Sequence, residues 1–464
     1  MRLPTFLPRA ALLTALVAPP LLAQTPARDD AQTLRALYSA ALPSRAAYDN
    51  LTELVTQHPG RLSGSKSLEG AVRWGEAALK RAGAERTELQ PVMVPHWERG
   101  APENVNLVKA DGSTGAALTA VALGGSVPTP AGGLRAPVVE LHTLAELPTA
   151  DVKGKIVFFN RAMNPDYVNT GRAYGEAGDA RNKGAAAAAK FGAVGVLTRS
   201  LTLALDDVPH TGYTGDETGA PAPIPAAALS TEAANHLSAQ LRLDPSLTVE
   251  LQINSQWFPD APSHNVVGEI RGSEFPDEII LVGGHLDSWD ITPGAHDDGA
   301  GVVESIEVLR LLKAIGYRPR HTIRAVLFTS EENSGNGGKE YARLAGAKKE
   351  RHLLALESDN GGFQPVGFNL GSPAGDAHTR AARWQELFAP YGIHVFRAGR
   401  GGADVEPLLE TLGYPVAELV PDSQRYFDYH HTRIDTMDKV NPRELALGAA
   451  AMAALVYLVD QHGL

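Results

Sequence analysis

Hydrophobic and polar positions in the second half of the chain follow a pattern typical of strands alternating with helices. Short apolar runs at 279–284, 323–329 and 353–357 have the composition of strands buried on both faces. Helical periodicity follows the first two runs, at 299–315 and 337–345. The pattern predicts an α/β fold, with a mostly parallel mixed sheet flanked by helices.

Further elements follow towards the C-terminus: strands at 366–370 and 393–396, and helices at 376–391, 403–412 and 442–460. The stretch from residue 30 to about 83 reads as helical. A turn-rich loop interrupts it at 58–65, and its last helix ends at Gly83.

The pattern changes between residues 104 and 253, where short strands alternate with Gly-, Pro- and Ala-rich turns. One predicted helix, 182–191, is nearly all alanine. We therefore divide the chain after the leader into 30–103, an inserted unit at 104–253, and 254–464. Asp206, Asp207 and His210 are expected in a solvated loop of the insert that could overhang a site.

The N-terminus predicts export. Arg2 and Arg9 precede an apolar run at 10–23, and polar residues follow, the order found in a secretory signal peptide. Cleavage after Ala23 would leave a secreted or periplasmic protein. No later stretch is expected to be long and apolar enough to cross a membrane, so no membrane partner is predicted.

The composition excludes several kinds of binding site and catalytic group. The formal net charge of −11 over 464 residues leaves no basic footprint for nucleic acid. The chain has no cysteine, which excludes disulfides, thiolate metal sites and a cysteine nucleophile. Any metal must be bound by His, Asp and Glu.

Such side chains follow successive predicted strands. Because an open α/β sheet binds ligands beyond the carboxyl ends of its strands, they are expected to meet at one edge as a metal site. Glu331 and Glu332 are adjacent at a strand end and would point in different directions, one to metal and one to substrate. The remaining residues of this group are His285, Asp287, Asp297, Asp298, Asp359, His430 and His431.

The motifs carry a family resemblance. They are His285-x-Asp287, Gly294-Ala-x-Asp297-Asp298-Gly, Glu331-Glu332, Glu357-Ser-Asp359 and His431-Thr-x-x-Asp435-Thr. In order and spacing they resemble the co-catalytic zinc exopeptidases of aminopeptidase and glutamate carboxypeptidase type, and most nearly the carboxypeptidase Q subgroup. Residues 104–253 resemble the protease-associated domain inserted in such enzymes, and 254–464 the catalytic zinc peptidase domain.

The resemblance implies two Zn²⁺ per chain, a peptide substrate and hydrolysis of dipeptides or short peptides. Asp297 would bridge the two ions, and Glu331 would act as general base. His285 and Asp359 would complete one set of ligands, Glu332 and His431 the other, with the assignment of sets to metals left open. Asp287 would orient His285.

Some points stay open. Spacing favours His431 as the ligand and leaves His430 as its neighbour or a substrate contact. Val405 replaces the His of the Ser-Asp-His sequence that many members have, so the resemblance predicts no side-chain preference. Amino- or carboxy-terminal specificity is equally open, and the resemblance allows a homodimer. The alternatives are an inactive receptor or binding protein on the same scaffold and a zinc-dependent glutaminyl cyclase.

Overall fold

The computed structural model describes residue 1, residues 29–215 and residues 223–464, so the predicted signal peptide at 1–23 lies almost wholly outside it. The strands in this part of the chain are β1 (Arg86–Glu98), β2 (Asn104–Val108), β3 (Thr114–Ala117), β4 (Ala120–Ala122), β5 (Leu134–Leu141), β6 (Ile156–Phe159), β7 (Gly195–Arg199), β8 (Ala226–Leu229), β9 (Thr248–Gln252), β10 (Gln256–Ile270), β11 (Phe275–His285), β12 (His321–Phe328), β13 (Arg351–Glu357), β14 (Pro365–Gly371), β15 (Val395–Ala398) and β16 (Val416–Pro421).

The helices of the same residues pack on both sheets that these strands form. They are α1 (Asp30–Ala41), α2 (Ala46–Gln57), α3 (Lys66–Ala82), α4 (Thr170–Ala177), α5 (Asp179–Ala189), α6 (Thr231–Leu243), α7 (Ala300–Ala314), α8 (Asn336–Lys348), α9 (Ala377–Ala382), α10 (Gln385–Phe388), α11 (Glu406–Leu412), α12 (Tyr426–Tyr429) and α13 (Pro442–His462).

The larger sheet has the order β1-β10-β12-β11-β13-β16-β14-β15. Its centre is parallel, since β11 runs parallel to β12 and β13, and β13 parallel to β16. In this register His285 lies beside Phe328 and Gly283 beside Glu357, so three strands end at one edge. The mixed, mostly parallel sheet flanked by helices confirms the predicted fold class.

Helices α7 and α13 form the centre of the core under this sheet. Almost every residue of α7 is buried, and α13 packs against it with alanines such as Ala449 and Ala450 buried in the same core. Against our expectation, α13 is long and apolar enough to cross a membrane. However, 78% of its apolar window is buried within the protein, as in the core helix of a globular fold.

The second sheet, β3-β2-β9-β5-β6-β7-β8-β4, draws all of its strands from residues between 104 and 252. The alanine-rich helix α5 packs on it: Ala185 and Ala188 are buried, and a Cβ on Gly184 would lie 3.0 Å from the ring of Phe159. The alanine run therefore serves close packing of helix on sheet.

One predicted helix was wrong, and one long strand was not predicted. The helix expected at 376–391 is broken into α9, α10 and a 3₁₀ turn, which contains Pro390. The long edge strand β1, paired with β10 from Arg86 to Glu98, was not predicted. Pro91 and Pro95 interrupt its sequence pattern, but an edge strand tolerates proline because its outer N–H groups need no partner.

Candidate metal centre and active site

His285, Asp297 and Asp359 meet at the carboxyl edge of the parallel strands. His285 is the last residue of β11, Asp359 follows β13, and Asp297 lies in the turn before α7. The Nε2 atom of His285 lies 3.3 Å from Oδ1 of Asp297 and 3.4 Å from Oδ1 of Asp359. The fold thus brings together three predicted site residues that lie up to 74 positions apart in the sequence.

A second group lies on the other side of Asp297. The Nε2 atom of His431 is 3.1 Å from Oε2 of Glu332 and 3.4 Å from Oδ2 of Asp297. His430 stacks on His431 with ring centroids 3.5 Å apart, and its Nε2 is 3.7 Å from the same Asp297 oxygen. Asp297 therefore presents one carboxylate oxygen to each group.

Asp287 lies behind both groups and is fully buried. Its carboxylate accepts hydrogen bonds from the backbone N–H groups of Glu331, at 3.0 Å, and Glu332, at 3.2 Å. Nδ1 of His285 lies 3.1 Å from the backbone carbonyl oxygen of Asp287, at hydrogen-bond distance, and 3.7 Å from one of its carboxylate oxygens. Asp287 thus fixes the backbone that carries the two glutamates, a contact that the sequence did not predict.

Three residues outside the predicted set of ligands and catalytic groups hold the turn before α7. Asp435 accepts from the backbone N–H of His296 and Asp297, at 2.8 and 3.0 Å. Asp298 accepts from the N–H of His285 at 3.0 Å. The buried guanidinium of Arg61 donates to backbone carbonyls at 286, 293 and 294.

The loop of the insert that was expected to be solvated and to overhang the site does contact it. His210 is only 2% exposed, and its Nδ1 lies 2.9 Å from the carbonyl oxygen of His430. Thr211 next to it hydrogen-bonds the backbone of His431. The prediction was wrong for His210 because the insert packs over the carboxyl edge, although Asp207 is exposed as expected.

A cavity of about 490 Å³ lies between the two parts of the chain. The larger sheet contributes both predicted glutamates, Glu331 and Glu332, together with the 401–403 segment and Glu418. The insert contributes Tyr174 and Arg181 among others. The predicted site residues Asp297, Asp359 and His431 also line this cavity, so a ligand in it reaches both groups of side chains.

The residues fit divalent cations. Two groups have ligand atoms that all lie within 4.8 Å of one another, His285–Asp297–Asp359 and Asp297–His430–His431. Within the described residues, Oδ2 of Asp297, Oε1 of Glu332 and Oδ1 of Asp359 are buried without a hydrogen bond. Unpaired buried carboxylate oxygens are costly unless a cation binds them.

The pKa values show the same crowding of charge. Burial raises the pKa of Glu332 and Asp359 above the usual range, and neighbouring carboxylates add to both effects. Burial lowers the pKa of His430 to about 4, so its ring is neutral near pH 7. For Asp297, burial acts upwards, but the three surrounding histidines outweigh it and hold its pKa below the usual range. Neutral imidazoles beside carboxylates, as at His430 and His431, suit zinc. For His285 burial acts downwards, but the neighbouring carboxylates of Asp359 and Asp297 outweigh it and raise the pKa.

Comparison with known proteins identifies the family of this chain. The model of peptidase family M28 matches residues 265–456. Bovine carboxypeptidase Q is 37% identical over 416 residues, which cover 89% of this chain and 85% of that protein. The chain belongs to peptidase family M28. Human carboxypeptidase Q is similarly related, with 35% identity over 417 residues.

Solved M28 structures have the same fold. A peptidase M28 precursor from Shewanella amazonensis is 36% identical, with a TM-score of 0.86 over 93% of this chain and 96% of that one. A zinc aminopeptidase from Bacillus subtilis superposes with a TM-score of 0.65 over 90% and 95% of the two chains, at 21% identity. This M28 protein is a zinc-dependent exopeptidase, and its substrates are peptides.

Proposed function

We propose that the protein is a secreted exopeptidase that binds two zinc ions and hydrolyses dipeptides or short peptides. The observation that carries the proposal is the shared carboxylate of Asp297, with Oδ1 3.3 Å from His285 and Oδ2 3.4 Å from His431. One carboxylate between two imidazole-containing groups is an arrangement that suits a pair of metal ions.

In this proposal His285 and Asp359 complete the ligands of one ion and Glu332 and His431 those of the other. The 3.1 Å contact between Glu332 and His431 supports the second set, because both atoms already face the same point. Asp287 orients His285 and the backbone of the two glutamates rather than binding metal.

Glu331 is the proposed general base. When bound, the zinc ions lower the pKa of a coordinated water and polarise the scissile carbonyl. Glu331 lines the cavity, and burial raises its pKa to about 8. As a carboxylate facing the cavity, Glu331 accepts the proton of the attacking water and delivers it to the leaving amine.

Export and assembly belong to the same proposal. The leader-like residues 1–23 support secretion or a periplasmic location. A homodimer is proposed on family resemblance, and sedimentation of the purified mature protein would test it.

The function is tested with purified mature protein and a panel of dipeptides, measured with and without chelator alongside the zinc content. Two zinc ions per chain and chelator-sensitive hydrolysis, restored by added zinc, are expected. One zinc ion per chain would contradict the shared role of Asp297. Two bound ions without hydrolysis of any peptide would contradict the exopeptidase.

A further inference from the structure

The insert places a positively charged side chain in the wall of the active-site cavity. Arg181, near the start of α5, lines the cavity beside His431 and is only 7% exposed. One of its guanidinium nitrogens, Nη1, lies 3.5 Å from Nδ1 of His431. A buried, permanently charged group at this point acts directly on whatever occupies the cavity.

Neutral groups hold Arg181 in place. Its Nε donates to the side-chain oxygen of Asn182 at 3.0 Å, and its guanidinium carbon lies 5.1 Å from the ring centroid of Tyr174. Across residues 29–215 and 223–464, Arg181 forms no ion pair with a carboxylate. Arg161 of the same unit, in contrast, pairs with both Asp179 and Glu176.

The backbone also leaves room for this side chain. Gly212 of the 206–215 loop has φ of 142°, and a Cβ on it would lie 2.6 Å from Nη1 of Arg181. A larger residue there would displace the guanidinium from the cavity wall. Arg181 is therefore held firmly, at the cost of burying a charge whose described partners are neutral.

The chemistry of a guanidinium identifies what it would bind. Its planar fork of N–H donors matches a carboxylate with two parallel hydrogen bonds. A peptide substrate has one carboxylate in every case, at its C-terminus. Because Arg181 touches His431, a proposed metal ligand, this carboxylate would have to lie within about one residue of the bond that is cleaved.

We infer that Arg181 binds the C-terminal carboxylate of the substrate, and that the enzyme therefore cleaves the last peptide bond of dipeptides and short peptides with a free C-terminus. The inference rests on the proposed function and adds the end of the substrate that is recognised. Arg181 is a specificity-determining residue in this scheme, and Glu331 still performs the proton transfers.

The test compares a dipeptide with its C-terminal amide. Wild type should prefer the free acid by about 100-fold in kcat/KM, the scale of a buried charge pair that loses one partner. Arg181→Gln should lose about that factor on the acid, mainly through KM, and change little on the amide. Arg181→Lys should fall between them, because it keeps the charge but not the fork.

Arg161→Gln is the matched control, the same substitution in the same unit, and it should retain the preference. Zinc content and thermal unfolding are measured for each variant. Two results would overturn the inference while the exopeptidase stands. One is equal cleavage of the acid and the amide by wild type. The other is an equal loss of kcat/KM on both substrates in Arg181→Gln and Arg181→Lys with zinc retained. Cleavage of neither substrate by zinc-loaded wild type would reject the proposed function and the inference with it.

Discussion

The Nδ1 atom of His431 lies 3.2 Å from the carbonyl oxygen of Thr211, and the N–H of Thr211 donates to the carbonyl of His431 at 3.0 Å. His431 adopts a positive φ of 62°, an uncommon conformation for a residue other than glycine. A proton on Nδ1, directed at Thr211, leaves the Nε2 lone pair facing Glu332 and Asp297. The inserted unit thus orients a proposed metal ligand that lies just after α12.

The first prediction separates the two adjacent histidines. His431→Ala should lower the zinc content, because it removes the imidazole 3.1 Å from Glu332, whereas His430→Ala should retain both zinc ions. Loss of a group that only orients a metal ligand already weakens metal binding by about 10-fold, and loss of the ligand itself should weaken it at least as much. Metal analysis after dialysis against a weak chelator measures the difference. The reverse result would exchange the roles of the two residues.

The second prediction concerns Glu331. Glu331→Gln removes the proposed base but keeps the size of the side chain and the backbone N–H that donates to Asp287. Turnover should fall by about 1,000-fold, within the range for loss of a general base, while zinc content is unchanged.

Glu340→Gln on α8 is the control for this substitution, because Glu340 forms a surface pair with Arg343 away from the cavity. It should keep full activity. A fully active Glu331→Gln enzyme would assign the base to another residue, and a zinc-free one would make Glu331 a ligand.

Residues that end parallel strands could be predicted from the sequence. His285, Glu331 and Asp359 follow apolar runs directly or after a single serine, and neighbouring parallel strands must end at the same edge of the sheet. Their convergence therefore follows from local pattern and topology. The motif spacing also located Asp297 and His431, which the structure brings to the same edge.

Other parts of the site depend on contacts that no local pattern records. Arg61 lies in the turn-rich loop at 58–65, and it hydrogen-bonds carbonyls more than 220 positions away. The contacts of Thr211 and Arg181 with His431 arise only when the insert packs on the larger sheet. The sequence outside the motifs therefore predicted the fold better than it predicted the walls of the cavity.

The third prediction tests the close contact between the first turn of α7 and the segment that follows β13. A Cβ on Gly301, in the first turn of α7, would lie 1.8 Å from the carbonyl oxygen of Ser358 and 2.6 Å from the Asp298 carboxylate. Gly301→Ala must push apart the segments that carry Asp297 and Asp359. We expect a loss of about 1–3 kcal/mol in the free energy of unfolding, as for overpacked cores, and a lower zinc content.

Gly175→Ala in α4 is the matched control. No atom lies within 4 Å of a Cβ at Gly175, and alanine is the better helix former. This variant should be slightly more stable than wild type, by about 0.5–1 kcal/mol. Urea unfolding of both variants measures their free energies of unfolding. Equal stability of the two would show that the contact between Gly301 and Ser358 is not tight.

The last prediction uses the buried carboxyl group of Glu304 on α7. It accepts from the hydroxyl of Ser358 at 2.7 Å, and burial raises its pKa to about 8 from an ordinary value of 4.5. Between these two pH values the unfolded chain releases a proton that the folded protein keeps, so stability falls as pH rises and levels off above about pH 8.

Glu304→Gln cannot ionise and escapes this loss. Its unfolding free energy relative to wild type should therefore increase with pH from 5 to 8, by up to about 1.4 kcal/mol per pH unit. Urea unfolding of both zinc-loaded proteins over this range measures the difference, and a difference independent of pH would show that Glu304 is ionised in the folded protein.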